Sequence, residues 1–574
     1  MNDKLPSTSS SRNSLWLLLT LVAWSTIAVA GFFSNSPPSP LDKAAPEDVF
    51  SAGRADEILE HLVGDSIPHP AGSEHNIVVR QRILDLLESF GYEPEVQDSS
   101  TRIRFMRTED DPETIEVVNI VARLRGTNSR AESSDAPGAV MLVVHYDSTP
   151  FGPGACDDGV GCAAALEIAR MLKQEDAPSR DIIFLITDGE EYGLLGAYRF
   201  VEEHSWAKDV DYLINLEARG TTGPSFMFET SAGSLELVRY LSETISVPMT
   251  SSLYFEIYKH LPNDTDFTVF KENGFAGYNF AFIGDVKNYH TPEDNFENAD
   301  RGSLQHHGQN ALALIRKLSS LDEFKSSDER AVYFDLFGKV LIWWPESWSL
   351  WLALAGVPLS IFSFLRRSRK QAWYYGAALS VAGFLLFIAT GIGLSYLLQT
   401  ESRFQEPWPA SPVPIAMSFW LLMLSVAFAF CSFVLPRTSA TSTWIAVWTG
   451  WTIAAVGSTI VAGGASYLFI VPAFVAWVGR FVFVDLLKQN IGIVALVSSA
   501  TAAVFWLPMS FAFYDALGFK LTIVIVIRAA LLGSTILPVL MTARLETRRK
   551  SVWLFVAAFA VVLVTAWLMN PPAV

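Results

Sequence analysis

The sequence predicts an α/β domain with a central, mostly parallel sheet, joined to an N-terminal membrane anchor and an all-α, multi-span C-terminal domain. In the first half of the 574 residues, short apolar runs alternate with stretches of helical periodicity. In the second half, long apolar segments follow one another with few charges between them. Half of the residues are apolar and the mean hydropathy is +0.28, which is too apolar for one water-soluble domain.

Residues 1–45 are predicted to form a cytoplasmic tail, a transmembrane anchor and a linker. The apolar segment 14–33 has about the length that a bilayer-spanning helix requires. Lys4 and Arg12 precede it and no basic residue follows until Lys43, so the positive-inside rule places the N-terminus in the cytoplasm. A cleaved signal peptide is the alternative, but the segment lacks an obvious Ala-x-Ala cleavage site.

Residues 46–330 are predicted to form one domain in which strands and helices alternate. The predicted strands are 117–122, 139–144, 182–187, 212–216 and 276–282. The predicted helices are 56–63, 76–90, 159–173, 195–204, 235–244 and 304–321. This alternation favours a mostly parallel sheet covered by helices on both faces. The carboxyl ends of parallel strands meet at one edge, where a site can form.

Residues 331–574 are predicted to form a membrane domain with about eight transmembrane helices. The predicted spans are 347–365, 373–397, 414–435, 444–463, 467–487, 491–513, 521–541 and 552–569. Basic residues occur in every second connection between the spans, at 366–370, Arg437, Lys488 and 544–550. All of these connections therefore lie on the same side of the membrane as the N-terminus. The domain 46–330 is therefore predicted on the non-cytoplasmic side. Arg480 and Arg528 lie in or near spans, where snorkelling or helix pairing is the simplest role.

The charge is divided unevenly between the two halves. Residues 332–574 carry a net charge of +8, whereas the remainder carries −25. The acidic half would repel phosphate, so no nucleic acid is expected as a partner, and the apolar half predicts the lipid bilayer as one. The three cysteines, Cys156, Cys162 and Cys431, are too few for a disulfide framework. Buried thiols are favoured over a bond between Cys156 and Cys162.

Histidine and acidic side chains end the predicted strands or begin the turns that follow them. They are His145, Asp157, Glu190, Glu191, Glu217 and His290. Each of them alone could be a cap or a solvated loop residue, but strand ends converge in a parallel sheet. Imidazoles with several carboxylates and no thiolate suit a divalent metal such as zinc in a hydrolytic site.

The order of five short blocks resembles a known enzyme family. His-x-Asp, Asp-Asp-Gly, Asp-Gly-Glu-Glu, Asn-Leu-Glu and Tyr-His-Thr follow one another as in the co-catalytic di-zinc aminopeptidases. A domain of this kind between an anchor and a multi-span region resembles the branch of vacuolar membrane proteases and endoplasmic reticulum metallopeptidases. The resemblance implies a membrane-bound zinc exopeptidase of the aminopeptidase type, with two Zn²⁺ per chain and a peptide substrate.

The resemblance also implies a role for each candidate ligand. Asp157 would bridge the two zinc ions, with His145 and Glu217 completing the shell of one ion. Glu191 and His290 would complete the shell of the other. The secreted relatives commonly carry aspartate where this chain has Glu217.

Two further residues are implied to act without binding metal. Glu190 would be the general base that takes a proton from water and passes it to the leaving amine. Asp147 would orient the imidazole of His145 through its second ring nitrogen. A turn-capping role for Asp147 is the alternative.

Three other functions and two possible locations stay open. The chain could be a glutaminyl cyclase-like enzyme with one zinc, a receptor or scaffold that has lost activity, or a transporter with an accessory peptidase. The complete set of five ligands disfavours the first two, and few ionisable residues within the spans disfavour the third. The membrane could be a bacterial cell membrane facing the periplasm, or a vacuolar or reticulum membrane facing the lumen. An oligomer is possible.

Overall fold

A computed structural model describes most of the chain. The described residues are 8–102, 114–130, 136–261, 263–323, 327–365, 373–404, 407–409, 411–434, 438–519, 522–543 and 548–570. Of the basic residues used to predict membrane sidedness, Lys4, 366–370, Arg437 and 544–547 lie outside this set. The sidedness therefore stays a prediction.

Helices and strands are distributed as the two halves of the sequence suggest. The strands are β1 (Glu95–Arg102), β2 (Thr114–Leu124), β3 (Ala139–His145), β4 (Ile182–Thr187), β5 (Val210–Ala218), β6 (Phe226–Thr230), β7 (Ala276–Phe282), β8 (Ala331–Leu336) and β9 (Val340–Pro345). The helices are α1 (Thr8–Ser34), α2 (Ala52–Val63), α3 (Glu74–Ser89), α4 (Gly161–Gln174), α5 (Leu195–Glu203), α6 (Leu235–Thr244), α7 (Ser252–Tyr258), α8 (Asp266–Glu272), α9 (Arg301–Ser319), α10 (Ser349–Leu365), α11 (Trp373–Gln399), α12 (Pro412–Val434), α13 (Ala440–Val461), α14 (Tyr467–Gly479), α15 (Ile491–Trp506), α16 (Met509–Leu517), α17 (Thr522–Ala543) and α18 (Arg548–Met569).

The chain divides into two compact units. One unit is Ser34–Ser347, and the other combines Met1–Phe33 with Trp348–Val574. The first unit includes the β8–β9 hairpin, which the predicted domain boundary at residue 330 assigns to the membrane domain. The hairpin contains Tyr333, Phe334, Trp343 and Trp344, and such aromatic residues are typical of strands as well as of a membrane interface.

The unit Ser34–Ser347 is built on a seven-stranded sheet in the order β1-β2-β4-β3-β5-β7-β6. The central strands β4, β3, β5 and β7 are parallel, whereas β1, β2 and β6 pair antiparallel with their neighbours. The predicted α/β class is thus confirmed, with a parallel centre and antiparallel edges. The direction of β2 could not be predicted, because an apolar run has the same composition in either direction.

The side chains of the central strands pack alternately into two hydrophobic cores, one on each face of the sheet. Val140, Leu142 and Val144 of β3 pack with residues of α2, α4 and α9, and Met141 and Val143 pack with residues of α5 and α8. Every residue of β3 and of β4 is buried. Strands buried on both faces are continuously apolar, which explains the uninterrupted runs in the sequence.

The other unit consists of apolar helices. Among the described residues, nine helical segments are long and apolar enough to cross a membrane, from Leu15–Ser34 to Val552–Met569. The number agrees with the nine predicted spans. The chain is therefore a multi-pass membrane protein by the length and composition of its helices.

Candidate metal centre

The candidate residues lie together at the carboxyl ends of the parallel strands. His145 is the last residue of β3, and Glu217 is the last but one of β5. Glu190 and Glu191 lie in the turn after β4, and His290 follows β7. The register pairs His145 with Thr187 of β4 and Glu217 with Ala281 of β7, so the strand ends are level. The predicted convergence at one sheet edge is what the structure shows.

Five of the side chains form two overlapping clusters of possible metal ligands. His145, Asp157 and Glu217 form one, and Asp157, Glu191 and His290 form the other. Within each cluster the ligand atoms all lie within 4.8 Å of one another. Asp157 is the member that they share. This grouping is the one that the family resemblance implies, although the role of each residue as a ligand stays a prediction.

The two oxygens of Asp157 face different histidines. Its Oδ1 lies 3.2 Å from His145 Nε2, and its Oδ2 lies 3.1 Å from His290 Nε2. His290 Nε2 is also 3.0 Å from Glu191 Oε1, and His145 Nε2 is 3.7 Å from Glu217 Oε2. Asp157 thus presents one oxygen to each of the two clusters.

The turn that carries Asp157 is held by a residue that sequence reasoning missed. The Asp294 carboxylate accepts hydrogen bonds from the backbone N–H of Cys156, at 2.8 Å, and of Asp157, at 3.4 Å. Asp294 lies four residues after His290, so one loop both supplies His290 and fixes Asp157. Asp294 is the last residue of the block Tyr-His-Thr-Pro-Glu-Asp, and this position could have drawn attention to it, because acidic residues near a site often orient its ligands.

Asp147 positions two parts of the site with two different groups. Its backbone carbonyl lies 3.0 Å from His145 Nδ1, which leaves Nε2 facing Asp157. Its carboxylate accepts the backbone N–H groups of Glu190, at 3.0 Å, and of Glu191, at 3.2 Å. The carboxylate is 3.6 Å from His145 Nδ1, which is longer than a hydrogen bond. Asp147 therefore orients the imidazole through its backbone and caps the Glu190–Glu191 turn through its side chain.

Glu190 is half-buried and belongs to neither cluster of possible ligands in the described part of the chain. Loss of hydration raises the pKa of Glu190 well above its usual value. The carboxylates of Glu217 and Glu191 act in the same direction, and His145 opposes them. A carboxyl group of raised pKa, beside the two clusters of possible ligands but outside them, is suited to accept and release a proton.

The site concentrates negative charge that two imidazoles only partly offset. Burial lowers the pKa of His290, yet its contacts with Asp157 and Glu191 raise the pKa to about 9. Burial opposes ionisation of Asp157, but His145 and His290 hold its pKa below the usual value. Buried carboxylates in such density are stabilised by bound cations. Two imidazoles and three carboxylates form a donor set that fits zinc.

The position of His290 is fixed by its backbone conformation and by the ring of its neighbour Tyr289. His290 has a φ of 57°, a left-handed conformation that is uncommon outside glycine and recurs at functional sites. The Tyr289 ring stacks on the His290 imidazole with 3.7 Å between ring centroids. Arg219 directly follows β5, and its guanidinium lies 6.0 Å from the centroid of the Tyr289 ring. Arg219 was not among the residues singled out in the sequence.

The two cysteines near the site are separate thiols. Cys156 and Cys162 are buried and not joined by a disulfide. The Cys162 thiol contacts the His145 backbone carbonyl at 3.0 Å. Burial raises the pKa of both thiols well above the usual value, so they stay protonated. The prediction of buried thiols is confirmed.

The comparison with known proteins agrees with this architecture. Residues 119–315 match peptidase family M28. The vacuolar membrane protease of Yarrowia lipolytica is 32% identical over 381 residues, which cover 62% of this chain and 37% of that protein. A putative endoplasmic reticulum metallopeptidase 1-B of Caenorhabditis elegans is 29% identical over 364 residues, covering 58% and 39%. The chain thus spans less than half the length of these relatives. The predicted resemblance is confirmed.

Solved structures similar to the chain include aminopeptidases and cyclases. An aminopeptidase from Aneurinibacillus sp. strain AM-1 has a TM-score of 0.38 at 14% identity, covering 49% of this chain and 96% of that one. A zinc aminopeptidase from Bacillus subtilis has a TM-score of 0.38 at 19% identity, covering 49% and 98%. A glutaminyl cyclase from Porphyromonas gingivalis has a TM-score of 0.37 at 20% identity, covering 47% and 99%.

Proposed function

With the match of residues 119–315 to peptidase family M28 as the premise, we propose that this chain is a membrane-bound zinc aminopeptidase. The observation that carries the proposal is the position of Asp157 in both ligand clusters while Glu190 stands outside both. Two overlapping sets of three ligands suit a pair of ions, and a carboxyl group next to them can move protons.

The proposed zinc ligands are those of the two clusters. His145, Asp157 and Glu217 would hold one Zn²⁺, and Asp157, Glu191 and His290 would hold the second. A pair of zinc ions bound there would lower the pKa of a shared water and polarise the carbonyl of the scissile bond. The carboxylate of Asp147 keeps Glu190 and Glu191 in place by accepting their backbone N–H groups.

Glu190 is proposed to carry the proton of the reaction. In its ionised form the carboxylate takes a proton from the attacking water, and in its protonated form it returns that proton to the leaving amine. The raised pKa of Glu190 favours the second half of this cycle, because the protonated form is a stable state of the side chain. Its adjacent position to Glu191 lets one turn supply both a ligand and a base.

The proposed location of the peptidase domain is the non-cytoplasmic side of its membrane. The support is the alternation of basic connections in the sequence together with the nine apolar segments. The compartment would be a bacterial periplasm or the lumen of a vacuole or of the endoplasmic reticulum. The scarcity of cysteine slightly favours the bacterial membrane.

The test is a substrate panel with the full-length protein in detergent. Peptides with a free N-terminus should be cleaved, and the same peptides with an acetylated N-terminus should not. A chelator should abolish cleavage and Zn²⁺ should restore it. Faster cleavage of the acetylated peptides would overturn the aminopeptidase assignment. Conversion of an N-terminal glutamine to a pyroglutamyl product would show a cyclase instead.

Exchange of Asp147 for asparagine is expected to lower kcat by roughly 10- to 100-fold with the fold intact. The amide has one oxygen to accept a hydrogen bond, whereas the carboxylate accepts from both Glu190 and Glu191. The Glu190–Glu191 turn should therefore lose its fixed position. Steady-state kinetics and zinc content of the purified variant would be measured. Asp85→Asn, on the exposed face of α3, is the matched control, and unchanged kcat in Asp147→Asn would contradict the positioning role.

A further inference from the structure

One cavity of the membrane unit contains a charged side chain. A space of about 180 Å³ lies among α1, α12, α16 and α17. Its walls are mostly apolar and aromatic, and include Ala28, Trp420, Phe511 and Ile525. Arg528 of α17 is the only charged side chain among the described residues that line it. The mechanism proposed for the peptidase site makes no use of this residue.

The Arg528 guanidinium is buried and has no counter-charge among the described residues. The residue is 5% exposed, and its Nε and Nη1 have no hydrogen-bond partner in the part of the chain that the structure describes. No described carboxylate forms an ion pair with it. A charged group among membrane helices is costly, and such groups normally pair with an opposite charge or reach a polar environment. The side chain therefore has donors to offer to an anion.

A second buried arginine of the same unit shows the contrast. Arg480 is 4% exposed, and its Nε and Nη1 also lack hydrogen bonds to any described residue. Its guanidinium, however, lies 5.7 Å from the ring centroid of Trp444, within the range of a cation–π contact. Arg480 does not line the cavity. Arg528 thus combines a missing partner with an adjacent space, and Arg480 serves as a control.

Arg528 lies near one end of its apolar segment rather than at its centre. It lies five residues after Ile523, where the apolar segment Ile523–Ala543 begins, so it is about 8 Å along the helix axis from that end. At the same end, the Trp408 indole N–H donates to the Tyr514 backbone carbonyl at 3.1 Å. Tryptophan and tyrosine are enriched at membrane interfaces. From this position a long arginine side chain, which points toward the N-terminal end of its helix, can extend toward the phosphate level at that end.

We propose that this cavity binds an anionic phospholipid, whose phosphate pairs with the Arg528 guanidinium. The planar guanidinium offers parallel N–H donors to two phosphate oxygens, a geometry in which arginine excels. The first part of an acyl chain would lie against the apolar lining formed by Trp420, Phe511 and Ile525. The bilayer supplies such a lipid continuously, and its negative charge offsets a cation that no described side chain neutralises.

The test compares lipids and variants with the full-length protein in detergent. Dioleoylphosphatidylglycerol should raise the melting temperature by about 4 °C more than dioleoylphosphatidylcholine does, because it binds the folded state. Arg528→Met, which keeps an unbranched apolar side chain without the charge, should lose this difference. Arg480→Met should keep it. Oleate, which offers a carboxylate instead of a phosphate, forms the third arm.

Several outcomes would overturn the proposal. They are equal shifts with both phospholipids, a preserved difference in Arg528→Met, or a response to oleate alone. If Arg528→Met does not fold, the proposal is tested by the amount of phosphatidylglycerol that stays bound to the wild type and to Arg480→Met. After washing with phosphatidylcholine micelles, about one phosphatidylglycerol should remain per chain by mass spectrometry. Its complete removal from the wild type would contradict the site.

Discussion

Exchange of Glu190 for glutamine is expected to lower kcat by about 10²- to 10⁴-fold while the protein keeps its fold and its metal. The amide occupies nearly the same space as the carboxylate but cannot take up a proton. Glu190 is outside both ligand clusters of the described residues, so its exchange removes no ligand. Its backbone N–H, which anchors it to the Asp147 carboxylate, is unaffected. Steady-state kinetics on a free-N-terminus peptide would measure the loss, and metal analysis would verify the occupancy.

The matched control is Glu60→Gln, an equivalent exchange at an exposed position of α2. It should leave both kcat and metal content unchanged. Turnover near that of the wild type in Glu190→Gln would refute the assignment of the base. A loss of zinc from Glu190→Gln would mean instead that Glu190 is a ligand, and that the two clusters are not the whole coordination sphere.

The fold could be predicted from the sequence where burial leaves a clear pattern. The strands β3, β4, β5 and β7 are apolar runs because both of their faces are covered, and each of their ends lies within two residues of the predicted limit. β1 was not predicted, since its sequence, Glu-Val-Gln-Asp-Ser-Ser-Thr-Arg, is polar. An edge strand needs to bury little, so its composition resembles that of a loop.

The candidate site could be predicted because its residues end strands, but the contacts that position it could not. Parallel topology alone brings His145, Glu217 and the Glu190–Glu191 turn to one edge. The hydrogen bonds of Asp294 to the turn at Asp157 join positions 137 and 138 residues apart in the chain. The backbone carbonyl of Asp147 contacts His145, and its carboxylate accepts hydrogen bonds from Glu190 and Glu191. These contacts depend on turn geometry, which the spacing of residues in the sequence does not encode.

Removal of Asp157 is expected to cost both zinc ions, whereas removal of His290 costs one. Asp157 is the only described side chain that belongs to both clusters, and its two oxygens face His145 and His290 at 3.2 and 3.1 Å. Without it each cluster keeps only two ligands, too few for a stable zinc site. His290→Ala leaves the cluster of His145, Asp157 and Glu217 complete. Elemental analysis of the purified full-length protein should therefore give about two, one and zero equivalents for wild type, His290→Ala and Asp157→Ala.

The number of zinc equivalents lost from each variant tests whether Asp157 binds both ions. Loss of activity alone cannot test this. His61→Ala, at an exposed position of α2, should keep both equivalents and so controls for loss of a histidine as such. If Asp157→Ala retained one equivalent, Asp157 would serve a single ion, and a different side chain would have to complete the other shell. Full occupancy in His290→Ala would exclude His290 as a ligand. In that case the contact of His290 with Glu191 would be an ordinary ion pair. The imidazolium of His290, and not a second zinc ion, would then supply the positive charge beside Glu191.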